Sequence, residues 1–312
     1  MTAGLGLEDT YGPTLDRIKA QGSYKSRLGT TALMWICHSE RQLGAEELCQ
    51  ALAVDIGSTD HNADNSPSIQ TVLSCCQGFV VVDNEGSAVQ LIHYTLQEYL
   101  TSQRNFFQSP HSTIAEACLT YLNSEQVMAL SDSLIQSVHI QHSPFLEYSS
   151  LYWGTHMKKG PSDRGKTLAL KLFSHCECHV SSRPLLEHTL GQYRLRSTSS
   201  VDFCKFTGLH YTSIFGLVDV ARDLIKMNVV DINGIDVIGA TPLLWAAFNG
   251  QEAAVKLLLE LEGIDPDRRD NSGQTPISWA ARNGHEAVVK LLLELGGVNL
   301  NTVDNRGRTP IL

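Results

Sequence analysis

The sequence lacks any apolar run long enough to cross a membrane. Its 312 residues are 42% hydrophobic and 18% charged, and no stretch approaches the roughly 20 consecutive apolar residues that a transmembrane helix needs. The N-terminus has neither the basic start nor the apolar centre of a secretory signal. We therefore expect a cytoplasmic protein that does not enter the secretory route, with a nuclear location left open.

The sequence also lacks the regular cysteine spacing of a disulfide framework and an excess of positive charge. Eight cysteines lie at irregular positions, and 33 acidic against 24 basic residues give a formal net charge of −9 at pH 7. Without a secretory signal, these cysteines are expected to be reduced thiols that serve as small apolar side chains. The net negative charge does not favour nucleic acid or an anionic membrane as a partner. The length allows two or three domains.

The segment GPSDRGKT, residues 160–167, matches the G-x-x-x-x-G-K-[ST] pattern of a phosphate-binding loop. Such a loop functions only where a strand leads into the first glycine and a helix follows the lysine. Here residues 144–159 and 165–178 both have the apolar spacing of amphipathic helices. The motif therefore joins a helix to a helix, and we predict no nucleotide binding, no cofactor and no catalytic residue.

The C-terminal third repeats itself with a period of 34. Thr-Pro pairs begin at positions 241, 275 and 309, and GATPLLWAAFNGQEAAVKLLLE from Gly239 aligns with GQTPISWAARNGHEAVVKLLLE from Gly273. A weaker copy begins at Thr207, one period earlier. A period of about 33 with Thr-Pro-Leu, paired alanines, a central glycine and a leucine triplet is typical of the ankyrin repeat. Residues 206–312 are predicted to hold one degenerate, two complete and one truncated repeat.

Each element of the repeat has a physical role. Thr241 and Thr275 are expected to cap a helix whose first turn accepts the proline. Leu244 and Ser278 stand where a histidine is usual, which removes a local hydrogen bond but not the fold. The chain stops at Leu312 within the first helix of a repeat, from which we expect a truncated product or a natural short form. Three aspartates that each precede a glycine by three residues are expected to form the turns between repeats: Asp236, Asp270 and Asp304.

Residues 21–104 have the pattern of a winged helix, in which three helices are followed by a two-stranded hairpin and a closing helix. The predicted helices cover 30–39, 45–54, 67–76 and 94–103, and the predicted strands cover 79–83 and 88–92. The hairpin also accounts for FVVVDNE, residues 79–85, which resembles a strand carrying a magnesium-binding acid, because Asp83 leads into the turn at 84–86.

Many winged helices bind DNA, and the charge of this one argues against it. Residues 21–104 contain four basic and nine acidic residues, a balance of −5, and the third helix contains no basic residue. Contacts to phosphate supply most of the non-specific affinity for DNA. We therefore predict that no nucleic acid is bound.

The remaining sequence is predicted to be helical. Helices are indicated over 113–122, 144–159, 165–178 and 183–193. The complete prediction is a mainly α fold with a linker helix (1–20), a winged-helix domain (21–104), a helical spacer that caps the repeats (105–205) and a short ankyrin-repeat α-solenoid (206–312).

Several segments resemble the same group of proteins. GLEDTYGPTLDRIKAQ, ALMWICHSER, ELCQALAV, LIHYTLQEYL, CLTYLN and PFLEYSSLYWGTHMKK resemble fungal NACHT-type, NLR-like signalling NTPases that carry ankyrin repeats. The resemblance covers nearly the whole chain and corresponds to the part that follows the nucleotide-binding domain in that family. It implies that the nucleotide-binding loop lies outside this sequence, and residues 160–167 match none of the family's motifs.

Two histidine-containing segments have alternative interpretations. By the resemblance, His93 takes the place of a histidine that contacts bound nucleotide, whereas the interpretation that we favour is a strand-to-helix junction held by a backbone hydrogen bond. In HCECH, residues 175–179, His175 and His179 share a helix face and Cys176 flanks them, while Cys178 points away. Structural zinc usually takes two separated ligand pairs. No second pair with an obvious ligand spacing occurs elsewhere in the sequence, so no metal site is predicted.

The resulting functional prediction is a non-catalytic module that binds a protein partner through the concave face and turns of its repeats, without nucleic acid or membrane. Two alternatives stay open: the regulatory half of a NACHT NTPase that acts with a separately encoded nucleotide-binding domain, and a decayed gene fragment. The candidate protein-binding residues vary between repeats and are Val237, Ile238, Phe248, Asn249, Arg268, Arg269, Asn271, Ser272, Gln274, Arg282 and Asn283.

Overall fold

The computed structural model divides the chain into two compact units at Gly160. The first contains Met1–Leu130 and Ile135–Gly160, and the second contains Ser131–Leu134 and Pro161–Leu312. The structure describes residues 6–58, 66–83, 88–103, 106–132, 143–175, 179–190, 205–228, 230–295 and 297–310. The fold is mainly α, and it combines a winged-helix domain with ankyrin repeats.

Among the described residues up to Gly160, the regular structure is helical apart from one small sheet. Its helices are α1 (Leu7–Lys19), α2 (Ser23–His38), α3 (Ala45–Ala53), α4 (Ile69–Cys75), α5 (Tyr94–Ser102), α6 (Pro110–Leu122), α7 (Glu125–Asp132) and α8 (Pro144–Lys159), and its strands are β1 (Leu43–Gly44), β2 (Val80–Val82) and β3 (Ala88–Leu91).

The sheet contains three strands rather than the predicted two. Its order is β1-β3-β2, and both pairings are antiparallel. Val89 lies opposite Val82 on one side and Leu43 on the other. The sequence pattern could not show β1, because two residues have no period and their pairing with β3 is long-range. The predicted turn at 84–86 lies outside the described residues.

Most predicted helices are confirmed, with different ends. Helix α2 begins at Ser23, earlier than the predicted start at residue 30. The sequence pattern missed this start because the first turns of α2 are polar and show no apolar period before Leu28. Helix α7 was not predicted, since its eight residues are too few for a clear pattern. The predicted end of one spacer helix at residue 193 lies outside the described residues. Helix α8 has the predicted bounds, with Lys158 and Lys159 in its last turn, where cations offset the helix dipole.

An aromatic cluster forms much of the core of the first unit. Trp35 of α2 is 1% exposed, and its ring contacts Phe145 and Tyr148 of α8 edge-on, with centroid distances of 5.6 and 5.9 Å. Tyr121 of α6 contacts Phe145 at 5.0 Å. These contacts pack α8 against both α2 and α6, because each large aromatic ring removes much apolar surface from water.

Five described cysteines are free and buried, in agreement with the prediction that they are reduced apolar side chains. Burial raises the pKa of the Cys37 thiol and that of the Cys76 thiol to about 12. These thiols are protonated at neutral pH and hence poor nucleophiles. Among the described residues, no helix combines the length and apolar character of a membrane span.

The second unit is built from paired helices. They are α9 (Asp163–His175), α10 (Ser182–Leu190), α11 (Gly208–Phe215), α12 (Val218–Lys226), α13 (Pro242–Phe248), α14 (Glu252–Leu259), α15 (Pro276–Arg282) and α16 (Glu286–Leu295). The degenerate repeat thus forms a helix pair, α11 and α12, like the two complete repeats that follow.

Equivalent helices stack on one another along the array. Leu209, Leu243 and Ile277 stand one period apart on α11, α13 and α15, and all three belong to one buried cluster. Val255 of α14 and Leu292 of α16 extend that cluster between the second helices. Each repeat therefore buries its apolar face against its neighbours, as a solenoid requires.

Helix α9 and the start of α10 contact the first repeat. The rings of Phe173 and Tyr211 lie 5.4 Å apart, and the Tyr211 hydroxyl is 2.8 Å from that of Ser181. Gly208 faces Phe173 so closely that an added Cβ would lie 2.6 Å from the ring. Phe173 of α9 and Ser181, which directly precedes α10, thus pack on the first repeat with specific contacts.

Candidate functional site

Buried aspartates form the turns between repeats, as predicted. Oδ1 of Asp236 accepts the backbone N–H groups of Ile238 (2.9 Å) and Ala240 (2.8 Å). Asp270 makes the same pair of bonds one period later, at 2.8 Å each. Gly239 completes the first turn with φ of +77°, a conformation that is open mainly to glycine.

The second carboxylate oxygen of each aspartate holds a tryptophan. Trp245 Nε1 donates to Asp236 Oδ2 at 2.8 Å, and Trp279 Nε1 donates to Asp270 Oδ2 at 2.9 Å. Burial raises the pKa of Asp236 to about 6, although these N–H donors favour its ionised form. The turn and the first helix of each repeat are thus tied together by one side chain.

The turns are also bonded to one another. The backbone N–H of Asn271 donates to Ile238 O at 2.9 Å, and that of Asn305 donates to Ser272 O at 3.0 Å. The amide group of Asn305 donates in addition to Asn271 O at 3.0 Å. Successive turns therefore form a hydrogen-bonded ladder, which fixes the spacing of the side chains that they carry.

One of the two predicted threonine caps is confirmed and the other is wrong. Thr241 Oγ1 accepts the Leu244 N–H at 3.2 Å and so caps α13. Thr275 makes no such cap, because its hydroxyl pairs with the Ser278 hydroxyl at 3.0 Å. The serine that replaces the usual histidine thus redirects the threonine.

The eleven predicted binding residues occupy different environments. Six are exposed, namely Arg268, Arg269, Asn271, Ser272, Arg282 and Asn283, four are half-buried, namely Val237, Ile238, Phe248 and Asn249, and Gln274 is buried. The Gln274 side chain is only 6% exposed. It has too little accessible surface to contact a partner.

Four of the candidate side chains hold the scaffold together. The side chains of Asn249 and Asn283 donate to the backbone oxygens of Trp245 (3.0 Å) and Phe248 (2.8 Å), respectively. Those of Arg269 and Asn271 donate to the backbone oxygens of Val303 (2.6 Å) and Val237 (3.2 Å). Their variation between repeats therefore has a structural reason as well. A substitution at these positions would change the array itself, which makes them poor probes of binding.

Three exposed arginines give the surface its positive charge. Arg268 and Arg306 lie beside the turns, and Arg282 lies at the end of α15. The Arg282 guanidinium stacks over the Trp279 ring, 5.3 Å from its centroid, which orients it. Sequence reasoning missed Arg306, although the 34-residue period places it in register with Ser272.

His210 in the first repeat occupies the histidine position that later repeats have lost. Its Nδ1 accepts the Thr207 N–H at 3.0 Å, and Nε2 contacts Ala240 O of the next repeat at 3.2 Å. Burial lowers its pKa from the ordinary 6.5 to about 4. The ring is therefore neutral in the folded repeat at neutral pH.

We expect His210 to make the repeats sensitive to acid. The unfolded chain takes up a proton below pH 6.5 that the folded repeat excludes, so stability falls as the pH drops from 6.5 towards 4. Between pH 7 and 5 this loss is about 2 kcal/mol. Asp236 opposes it, because its raised pKa adds stability as the pH falls through 6. Urea unfolding at pH 7, 6 and 5 should show a smaller loss in His210→Gln than in the parent chain. Equal losses would contradict the assignment.

The structure confirms that GPSDRGKT joins two helices. Helix α8 ends at Lys159 and α9 begins at Asp163, so no strand precedes the glycines. Lys166 Nζ lies 2.6 Å from Asp223 Oδ2, and the Thr167 hydroxyl donates to Asp163 O at 2.9 Å. Both side chains that would bind phosphate and metal in a working loop are engaged in the helical scaffold.

The two histidine segments have separate outcomes. His93 caps α5, and its Nδ1 accepts the Thr95 N–H at 3.2 Å, as the favoured interpretation of a strand-to-helix junction predicts. In HCECH, residues 176–178 lie outside the described residues. His179 is 3% exposed, and its Nδ1 lies 2.7 Å from the Ser181 hydroxyl.

Comparisons with known proteins agree with this architecture. The family model of the GPI inositol-deacylase winged helix domain matches residues 15–115. Two models of ankyrin repeats match residues 178–270 and, in two copies, 250–293 and 277–312. The chain thus contains a winged-helix domain and ankyrin repeats.

A curated relative has a similar sequence. It is the azaphilone pigments biosynthesis cluster protein L of Monascus ruber, which is 26% identical over 231 residues. That region covers 67% of this chain and 48% of the relative. The chain therefore spans about half the length of the curated relative that it matches.

Proposed function

We propose that this chain is a non-catalytic protein-interaction module related to the part of fungal NLR-like signalling proteins that follows the nucleotide-binding domain. The ankyrin repeats carry the proposal, since such arrays present stacked turns and first helices as one extended binding face. We propose the concave face as the contact surface, the cytoplasm as the location, and residues 1–20, 21–104, 105–205 and 206–312 as the domains.

The ladder of turns supports this proposal. Backbone bonds fix Ile238, Asn271, Ser272 and Asn305 at successive levels, so the side chains beside them are pre-positioned. A preorganised surface loses less conformational entropy on binding. The exposed residues that are best placed to meet a partner are Arg268, Ser272, Arg282 and Arg306.

The charge of these residues defines the partner chemistry that we propose. Three of the four are arginines, whose planar guanidinium groups form paired hydrogen bonds with carboxylates. Arg282 is also held in place by its contact with Trp279. The partner that fits is a protein segment with exposed aspartate or glutamate side chains.

Charge reversal on the repeats provides the test. The parent chain and the double variant Arg268→Glu/Arg282→Glu would be used to capture partners from the source cells, and the partner identified with the parent would then be purified. We expect its dissociation constant to rise about tenfold or more in the double variant, since reversed charges repel carboxylates. The relative's name makes products of neighbouring biosynthetic genes the first candidates.

The matched control is Lys256→Glu/Lys290→Glu, which reverses two charges on the second helices α14 and α16. Both lysines are exposed. The two double variants have the same net charge, because each replaces two cationic side chains with two glutamates. The control should keep the affinity of the parent chain. If both variants lose the same affinity, net charge and not the proposed face decides binding.

Nucleotide hydrolysis is expected to be absent. Because Lys166 is paired with Asp223 and follows a helix, the purified chain should neither bind nor hydrolyse ATP or GTP. Equilibrium binding with radiolabelled nucleotide and a phosphate-release assay check this result. Saturable ATP binding that disappears in Lys166→Ala would overturn it, whereas binding that persists in the variant would point to another site.

A second candidate function is the regulatory half of an NTPase, which acts with a separately encoded nucleotide-binding domain. The observation that favours it is a cavity of about 370 Å³ beside the sheet, lined by Ile36, Leu43, Val89, His93 and Tyr94 among others. Tyr94 is 68% exposed beside it. Co-expression with NACHT domains encoded nearby should give a complex that His93→Ala/Tyr94→Ala weakens and Arg268→Glu/Arg282→Glu leaves intact.

A further inference from the structure

Three residues of the first unit bring metal-binding atoms together. Glu40 follows α2, His111 lies in the first turn of α6, and His156 lies near the end of α8. Each of them offers one ligand atom, a histidine ring nitrogen or a carboxylate oxygen, and these three atoms all lie within 4.8 Å of one another. We propose that this cluster binds a zinc ion through two histidine nitrogens and one carboxylate oxygen.

The separations of these atoms suit a small cation. The two Nδ1 atoms are 2.9 Å apart, and His156 Nδ1 is 3.9 Å from Glu40 Oε1. A tetrahedral zinc ion with bonds of ~2.1 Å holds its ligand atoms about 3.4 Å apart. These two distances each differ from that value by about half an ångström, and all three ligand atoms lie within 4.8 Å of one another.

The hydrogen bonds around the cluster orient its ligands. His156 is fully buried, and its Nε2 lies 2.9 Å from the Tyr148 hydroxyl. Tyr148 also accepts the Glu40 N–H at 3.1 Å. With Nε2 protonated and directed at Tyr148, the lone pair of His156 Nδ1 points at the other two ligands. Such an outer partner on the second nitrogen is usual for zinc-bound histidine.

Two neighbouring side chains affect cation binding at this site. Lys159 Nζ lies 2.7 and 2.8 Å from the two carboxylate oxygens of Glu40. Its positive charge opposes a bound cation, and binding requires that Oε2 keeps the ion pair while Oε1 binds zinc. His38 contacts the His111 ring at a centroid distance of 5.4 Å. Within the described part of the chain, its buried Nε2 has no hydrogen-bond partner. A three-ligand site leaves a fourth position for water, and His38 lies beside that site.

The proposed ion would join three separate segments of the first unit. The ligands come from the loop after α2 and from α6 and α8, so binding requires the folded arrangement and stabilises it. The ligand set of imidazole and carboxylate groups distinguishes this site from any site with thiolate ligands.

The test uses the untagged full chain after removal of metal with a chelator. Titration with zinc chloride should show one bound ion per chain with a dissociation constant below about 10 µM, while magnesium chloride should not compete. His111→Gln and Glu40→Gln should each weaken zinc binding about tenfold or more. The control His188→Gln, at an exposed histidine of α10, should bind as the parent does.

Cobalt substitution identifies the ligands even if a variant is less stable. In the parent chain, Co²⁺ should give visible absorption bands without the near-ultraviolet charge-transfer band of a cobalt–thiolate bond. His111→Cys should retain binding and acquire that band, because a thiolate then replaces the imidazole. A thiolate band in the parent, affinity unchanged in both Gln variants, or no binding by the folded parent chain would each overturn the proposal.

Discussion

Replacing Asp270 with alanine should lower the stability of the ankyrin repeats by about 3 kcal/mol. The substitution leaves the N–H groups of Ser272, Gln274 and Trp279 without their acceptor. Each buried donor that loses its partner costs ~1–3 kcal/mol. The variant also avoids the cost of burying a carboxylate, which keeps the expected total near the lower end of the combined range.

Hydrogen exchange measured by mass spectrometry checks this result locally. Peptides from 263–295 should exchange much faster in Asp270→Ala, and the turn that contains Asp236 should follow because the two turns are bonded to each other. The control Asp219→Ala removes a carboxylate that is 79% exposed and forms an ion pair with Arg222 at the surface. Protection in that control should match the parent chain. Unchanged protection in Asp270→Ala would contradict the role assigned to the buried carboxylate.

Gly29→Ala should destabilise the first unit by roughly 1–3 kcal/mol or more. A Cβ at Gly29 would lie 2.7 Å from the backbone oxygen of Cys75 and 3.3 Å from Ile18 Cγ2. Helix α2 would have to move away from α4. The same carbonyl oxygen accepts a bond from Gln21 Nε2 at 2.8 Å, and that bond would be strained as well.

Gly12→Ala is the matched control, because it makes the same change inside α1. Its new Cβ would meet only the flexible end of Glu8 at 3.3 Å and the Tyr99 hydroxyl at 4.0 Å. Alanine is a better helix former than glycine by about 1 kcal/mol, but Pro13 follows directly, and a Cβ before proline crowds the ring. This variant should therefore lose much less stability than Gly29→Ala. Denaturant unfolding followed by circular dichroism compares the two. Equal changes in the free energy of unfolding in both variants would show that α2 and α4 move apart at little cost.

Local signals explain why much of the fold could be predicted. The 34-residue period includes residues that mark turns and helix starts: Asp236 and Gly239 lie at a turn, Thr241 at a helix start and Pro242 in the first helical turn. The boundaries of each repeat can therefore be predicted from the sequence. Helix α8 is similarly bounded by Pro144 and Gly160. These features depend on residues close in sequence, and the structure reproduces them.

Predictions were wrong where a contact that the pattern does not record decides the outcome. The Thr275 cap is lost to a local hydrogen bond with Ser278. Strand β1 exists only through its pairing with β3, and Gln274 is buried despite its polar side chain; in these two cases the tertiary environment outweighs a local preference. The prediction that Lys166 does not belong to a phosphate-binding loop rested on a local signal. Such a loop needs a preceding strand, and the apolar spacing before Gly160 is that of a helix.

Periods, caps and turn residues act over a few positions, so they are sufficient to predict an array of ankyrin repeats preceded by a winged helix. The need for glycine at position 29 and the meeting of Glu40, His111 and His156 depend instead on packing between distant segments. The two histidines are 45 positions apart, and Glu40 lies on a third segment. The packing of α6 against α8 and of α2 against α6 places one ligand atom of each within 4.8 Å of the others, and no local pattern records that packing.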